Sequence, residues 1–245
     1  MVQDYYAAFG FEDYSFRLSL WDPKKTEKYI DQPENWKKSE DRLRQIMDDL
    51  GVVYTESVGE AAFYGPKVDI QFKTALGREE SMSTIQLDFA AKERFGLSYM
   101  DENGNQNDEV LVIHRAPLST HERFVAFLTE HWMGNFPTWI SPTQVQIITI
   151  SERHADYAGE VASRLREHKV RVAVDDSDST IGRKIRTHRK MRPAYMLIIG
   201  DGEAADGTVS IRARNGDQRN GVPLEDFIAG VTEEIKNRSS KLSLV

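Results

Sequence analysis

From Thr143 onward the sequence alternates short apolar runs with amphipathic stretches, and no other feature of the 245 residues narrows the possible folds so far. The spacing predicts strand 145–150, helix 154–167, strand 170–174, helix 180–191, strands 195–199 and 208–212, and helix 224–236. Such alternation implies a parallel or mixed sheet with helices on its faces, a unit able to fold alone. Upstream the pattern changes to strand 15–21, helix 34–50, a strand near Val53 and two long strands, 67–74 and 81–89, a largely antiparallel sheet. Between the two patterns lies NFPTWISPT (135–143), with two prolines, two aromatics and no period, which reads as a packed linker. The expected fold class is therefore α/β (α+β) with two domains, 1–142 and 143–245.

Local signals fill in the first domain. Trp36, Leu43, Ile46, Met47 and Leu50 form one apolar stripe of the 34–50 helix, and Gly51 is its stop. LGRE (76–79) is expected to turn the two long strands into a hairpin, and DENGNQND (101–108) to be a polar surface loop. Downstream, GDGE (200–203) reads as a turn without phosphate-loop spacing.

Charge and composition exclude several classes of function. There is no cysteine, so disulfides and thiolate metal sites are ruled out within these residues. No apolar run approaches the roughly 20 residues that cross a bilayer, and MVQDYYAAFG lacks the basic start and apolar core of a signal peptide. A cytoplasmic location without membrane contact is the expectation. The net charge of −7 argues against indiscriminate nucleic-acid binding, yet it is unevenly spread. Residues 143–245 carry 17 Lys and Arg against 15 Asp and Glu, whereas residues 1–142 carry 15 against 24. Within GRKIRTHRKMR (182–192) six residues are basic, Arg183, Lys184, Arg186, Arg189, Lys190 and Arg192, and none is acidic. Helical spacing puts Arg183, Arg186 and Lys190 on one face with Ile185 turned to the core, so the run is either a solvated charged face or a polyanion contact.

Three further blocks carry candidate chemistry. In VIHRAPLSTHERF (112–124) an expected buried run at Leu111, Val112 and Ile113 ends in His114, and a helix with Phe124, Phe127, Leu128 and Trp132 on one face begins near Arg123. Ser119 and Glu122 have the spacing of a capping box. His114 and Arg123 would flank one pocket, or be a satisfied core histidine and a surface charge. GEAAFYGPKVDIQF (59–72) sets Tyr64 and Lys67 around Gly65 and Pro66, either an ordinary turn with an exposed lysine or a phenol and an ammonium presented to a ligand. STIQLDF (83–89) alternates so that Thr84, Gln86 and Asp88 share one face, the wet side of a sheet or the floor of a pocket.

In their order and spacing HRAPLSTHERF, the following FPTWISPTQVQI, GEAAFYGPKVDIQF and STIQLDF resemble the threonyl-tRNA synthetases, a class II family, and the resemblance covers essentially the whole chain. It implies the C-terminal part of such an enzyme: the later half of the catalytic domain and the anticodon-binding domain. By that resemblance Arg123 stacks on the adenine of ATP, Thr84 and Gln86 bond ATP and threonine, and Tyr64 lies against threonine. Lys67 serves the activated carboxyl group or the tRNA end, Asp88 orients its neighbours, and His114 is one of three zinc ligands.

The resemblance implies ATP with Mg²⁺, threonine and tRNA(Thr) as partners, and a homodimer in the full-length enzyme. The other zinc ligands, a cysteine and a histidine, and the arginine that clamps the phosphates, would precede residue 1. These 245 residues alone are then expected neither to complete the Zn²⁺ site nor to form threonyl-adenylate. In the second domain Arg186, Glu203, Arg212 and Asp178 fall at anticodon-contacting positions. Three departures accompany the match: Ser81 where the family commonly has glutamine, Ser119 where it usually has glycine, and Asp178 where it often has asparagine. The alternatives are a non-catalytic synthetase-like RNA-binding module or another synthetase that shares the anticodon domain, such as prolyl, against which the histidine of HRAPLSTHERF argues.

Overall fold

The computed structural model describes residues 1–74 and 77–245, which divide into two units, Met1–Glu130 and His131–Val245. In the first unit α1 (Val2–Phe9) precedes β1 (Tyr14–Leu20), α2 (Pro33–Asp49), β2 (Tyr54–Val58), β3 (Lys67–Lys73) and β4 (Glu79–Asp88). Then come α3 (Ala91–Phe95), β5 (Tyr99–Met100), β6 (Gln106–Asn107), β7 (Val112–Ala116) and α4 (His121–His131). Five strands form a sheet of order β2-β1-β3-β4-β7, antiparallel except where β1 meets β2. One sheet face is apolar because Phe16, Leu18, Val68 and Ile85 meet Leu43 and Met47 of α2 there.

Several expectations change at this level. Only Trp36 and Met47 of the α2 stripe are buried; Leu50 is 70% exposed, because it lies past the last turn. Gly51 does stop the helix, in the left-handed conformation, and Val52 N–H closes back on Met47 O at 3.0 Å. The 111–113 run is not buried: β7 is an edge strand paired only with β4, and Leu111 and Ile113 are 57% and 62% exposed. The capping box is absent as well. Ser119 sits at φ 60°, outside helical geometry, and it is Thr120 whose Oγ1 accepts from Arg123 N–H, at 3.4 Å. DENGNQND is partly ordered as the tip and second strand of the β5–β6 hairpin. The LGRE expectation includes Leu76, which lies outside the described residues; β3 and β4 pair antiparallel on either side.

The second unit follows the predicted alternation and adds a short helix, a strand and two 3₁₀ turns. A 3₁₀ turn, Thr138–Ile140, leads to β8 (Val145–Thr149), α5 (Ala155–Glu167), β9 (Val172–Asp175), α6 (Ile181–Met191) and β10 (Tyr195–Ile199). They are followed by α7 (Asp201–Asp206), β11 (Thr208–Ala213), β12 (Gln218–Pro223) and α8 (Leu224–Lys236). The mixed sheet has order β12-β11-β10-β8-β9, with β8 parallel to both β9 and β10. Ala158, Val161, Ala162 and Leu165 of α5 and Phe227, Ile228 and Val231 of α8 pack on Ile147, Leu197, Ile199 and Ile211. The GDGE turn is instead the start of α7, where Glu203 Oε2 accepts from Gly200 N–H at 3.0 Å.

NFPTWISPT belongs to this unit and has no secondary structure beyond the 3₁₀ turn, so its backbone carbonyls are met by side chains. Arg214 donates to the carbonyls of Asn135 and Phe136 at 3.0 and 2.8 Å, and Arg171 to those of Trp139 and Ser141. Burial lowers the pKa of both guanidinium groups, and neither faces a carboxylate here. A second polar knot joins Thr138 to the chain end. The buried Glu234 carboxylate accepts from Thr138, from Tyr195 at 2.7 Å and from both N–H and Oγ–H of Ser243, while Leu244 fills the notch beside Gly230.

Candidate functional site

The face of the first sheet opposite α2 is largely polar, and strand register dictates its layout. One row across it reads Ser57, Ser19, Lys67, Gln86 and His114; the next reads Thr55, Arg17, Asp69, Thr84 and Ala116. Tyr64, just before β3, closes over the first row. Its hydroxyl donates to Gln86 Oε1, and its ring stands edge-on to His114 with centroids 5.8 Å apart. Burial, reinforced by the Asp88 carboxylate, raises the Tyr64 pKa, so the phenol stays a donor. Gln86 Nε2 lies 3.4 Å from Thr84 Oγ1.

Lys67 is held from below. Its ammonium donates to both oxygens of Asp69, at 2.9 and 2.7 Å, and Asp69 is fully buried. Asp88 spends one oxygen on the N–H groups of Ala90 and Ala91, both at 2.8 Å, and turns the other toward His114 Nε2 at 3.7 Å. Tyr64, Lys67, Thr84, Gln86, Asp88 and His114 thus gather on one face. Arg123 is placed elsewhere: it pairs with Glu80 at 3.1 Å, six residues before Gln86 along β4, and both partners are half exposed. Ser81 bonds Gln71 Nε2 at 2.7 Å. Among the described residues no three His, Cys, Asp or Glu are grouped to hold a metal. Sequence reasoning missed Arg17, Ser19 and Asp69, although SFRLSL and KVDIQF alternate just as STIQLDF does.

In the second unit the face opposite α5 and α8 carries the candidates. A row across it reads Asp175, Ile148, Ile198 and Ser210, and its neighbour reads Ala173, Gln146, Met196 and Arg212. Helix α6 lies on this face, since His188 Nε2 meets the Asp175 carboxylate at 2.6 Å. Glu203 reaches the far side, where Ser210 donates to it at 2.6 Å, two residues from Arg212. Burial pushes the Glu203 pKa up, but the donors Ser210 and Gly200 N–H outweigh it and leave the carboxyl below its ordinary range, ionised and accepting. Asp178 is exposed in the β9–α6 loop and Arg186 is exposed on α6.

The basic run divides. Arg183, Arg186, Arg189, Lys190 and Arg192 are exposed, but Lys184, expected among the polyanion contacts, is buried. Its ammonium donates to Thr149 O and Oγ1 and to Asp175 O at 3.0, 3.2 and 3.4 Å, which satisfies all three N–H bonds at the ends of β8 and β9. Sequence reasoning also missed His154, buried just after β8: its Nδ1 accepts from Ser151 N–H and its Nε2 meets Asp201, which follows β10, at 2.9 Å.

A family model described as an anticodon binding domain matches residues 144–234. Over 237 residues, 96% of this chain, the sequence is 48% identical to a threonine–tRNA ligase of Bacillus velezensis; over 240 residues it is 48% identical to one of Lactococcus lactis. The chain spans 37% of the length of each of these relatives. It is similar in structure to the RNA binding domain of threonyl-tRNA synthetase from Cryptosporidium parvum, with a TM-score of 0.85 and 35% identity over 95% of this chain and 57% of that one.

Proposed function

Because the chain belongs to the threonyl-tRNA synthetase family, matching the C-terminal part of its members, we propose that it serves ATP-dependent activation of threonine and transfer of threonine to tRNA(Thr). Residues 1–142 supply part of the floor on which threonine and ATP meet, and residues 143–245 bind the anticodon. The observation that carries this reading is the polar sheet face, which aligns Lys67, Gln86 and His114 in one row under Tyr64.

On that floor Tyr64, Gln86 and His114 hold threonine, and Thr84 and Gln86 also bond the nucleotide. Arg123 lays its planar guanidinium against adenine at the other end of β4. Lys67 places a point charge beside the carboxyl group that attacks the α-phosphate, so the residues act by position and electrostatics. ATP brings Mg²⁺, which neutralises phosphate charge. Zn²⁺ would need ligands besides His114, and Asp88 already caps α3, so the described residues do not make up a zinc site by themselves.

In the second unit Glu203 accepts from base N–H donors, while Arg186 and Arg212 donate to base acceptors and Asp178 reads a neighbouring edge. A homodimer and a cytoplasmic location follow from the same family reading; no helix among the described residues is long and apolar enough to cross a membrane. Two assays test the proposal. The chain should bind a tRNA(Thr) anticodon stem-loop and lose affinity when the anticodon bases are changed; equal affinity for any anticodon refutes it. The full-length gene product should exchange pyrophosphate with ATP in the presence of threonine, while the 245 residues alone should not. A full-length product that binds the stem-loop but never activates threonine would instead be a non-catalytic RNA-binding module.

A further inference from the structure

We propose that Asp69, braced by Ser19 and Arg17, is the positioning residue for Lys67, fixing its ammonium so that a single N–H points at the substrate anion. The inference rests on the reading of Lys67 given above and adds the device that aims it. A lysine ammonium has three N–H donors on a flexible stem, and by itself it finds an anion without directing it. Here two of the three are committed, to Asp69 Oδ1 at 2.9 Å and Oδ2 at 2.7 Å. One remains, and Gln86 and His114 continue the row beyond Lys67.

The carboxylate cannot swing, because Oδ2 also accepts from Ser19 Oγ at 2.7 Å and from Arg17 Nη2 at 3.3 Å. Asp69 and Ser19 are both fully buried, so no competing water loosens these bonds. Register enforces the rest. Arg17 and Asp69 face one another across β1 and β3, and Ser19 faces Lys67, so all four side chains stand on the same two rows. Two cations and one anion leave the cluster with net positive charge on the face that has to accept a phosphate or an activated carboxyl group. A purely structural ion pair would need no such surplus.

The probes are AMP and adenosine, whose affinities for the 245-residue chain differ by what the phosphate gains. AMP should bind at least fivefold more tightly than adenosine. Lys67→Met should remove that preference, and Asp69→Asn should bring it within twofold of unity with adenosine affinity unchanged, whereas a general loss of fold would weaken both ligands alike. If Asp69→Asn keeps the preference that Lys67→Met abolishes, the proposal is overturned.

A second readout is the ¹H–¹⁵N signal of the Lys67 ammonium, which slow proton exchange should make visible in the parent chain and invisible in Asp69→Asn. Should AMP and adenosine bind alike to the parent, or neither bind, the assignment of Lys67 to the substrate anion fails. The ammonium signal then decides the positioning role: its persistence in Asp69→Asn, or its absence from the parent, overturns it. If Asp69→Asn does not fold, Ser19→Ala takes its place, with a two- to threefold drop in the AMP preference and a broadened signal expected, and no change in either as the contrary result.

Discussion

Ser119, at φ 60°, is one of five non-glycine residues held in the left-handed region among the described residues. An L-residue at φ 60° carries roughly 1–2 kcal/mol of steric strain, against which glycine's extra chain entropy of about 0.5–1 kcal/mol must be set. Ser119→Gly should therefore stabilise the first unit by about 0.5–1 kcal/mol in urea titration, and a destabilised variant would mean that the hydroxyl does something besides strain the turn. Ser119 was legible as a departure, but its conformation was not: the S-x-x-E spacing pointed to a cap that Thr120 supplies one residue later. Acid titration gives a second expectation. Asp175 and Glu203 are pushed up by burial yet end below the ordinary carboxylate range, because His188, Ser177, Ser210 and backbone N–H groups favour their charged forms. The folded chain then binds these protons less readily than the unfolded chain, so their stabilisation is present above the usual carboxylate pKa and is lost as pH falls through the lower folded values. In Glu203→Gln the acid loss of stability, followed by circular dichroism from pH 6 to 2, should be shallower.

Helix α6 illustrates what an element's pattern can and cannot disclose. Six basic residues at helical spacing revealed a charged helix, and five of them are exposed. That the sixth, Lys184, is spent on fastening the helix depends on two strand ends, Thr149 and Asp175, lying 35 and 9 residues away in the sequence, and local spacing holds no trace of them. The two lysine and arginine roles separate by mutation. Lys184→Met leaves buried acceptors unpaired and should cost roughly 1–3 kcal/mol of stability. Arg186→Ala should shift stability by less than about 0.5 kcal/mol, as exposed substitutions do, yet weaken anticodon stem-loop binding by about 1–3 kcal/mol. Equal effects of both substitutions on stability would contradict this division. Edge strand β7 is the converse case: three apolar letters suggested burial, but a strand's place in the sheet order is not written in its own residues.

At the scale of the molecule the alternation after Thr143 and the long strands before it were enough to anticipate a mixed sheet with helices in one region and a largely antiparallel sheet in the other. The sheet faces could also be read, because period-two alternation survives in Thr84, Gln86 and Asp88. What alternation could not supply was register, and register is what sets Arg17 and Ser19 beside Lys67 and Asp69. Residues 131–245 hold their own core and their own clamps on the 135–143 segment, so produced alone they should unfold in a single cooperative transition and retain anticodon stem-loop binding, with affinity that falls steeply as salt rises. A molten, non-cooperative product would show that the unit needs the first. The Glu234 knot bears on how such a unit is made in the cell. Because Ser243 and Leu244 complete the cradle around a carboxylate that Tyr195 and Thr138 have already enclosed, this half of the molecule is sealed by residues synthesised after every strand and helix of its core. A message cut before codon 243 would yield a polypeptide with its final latch undone.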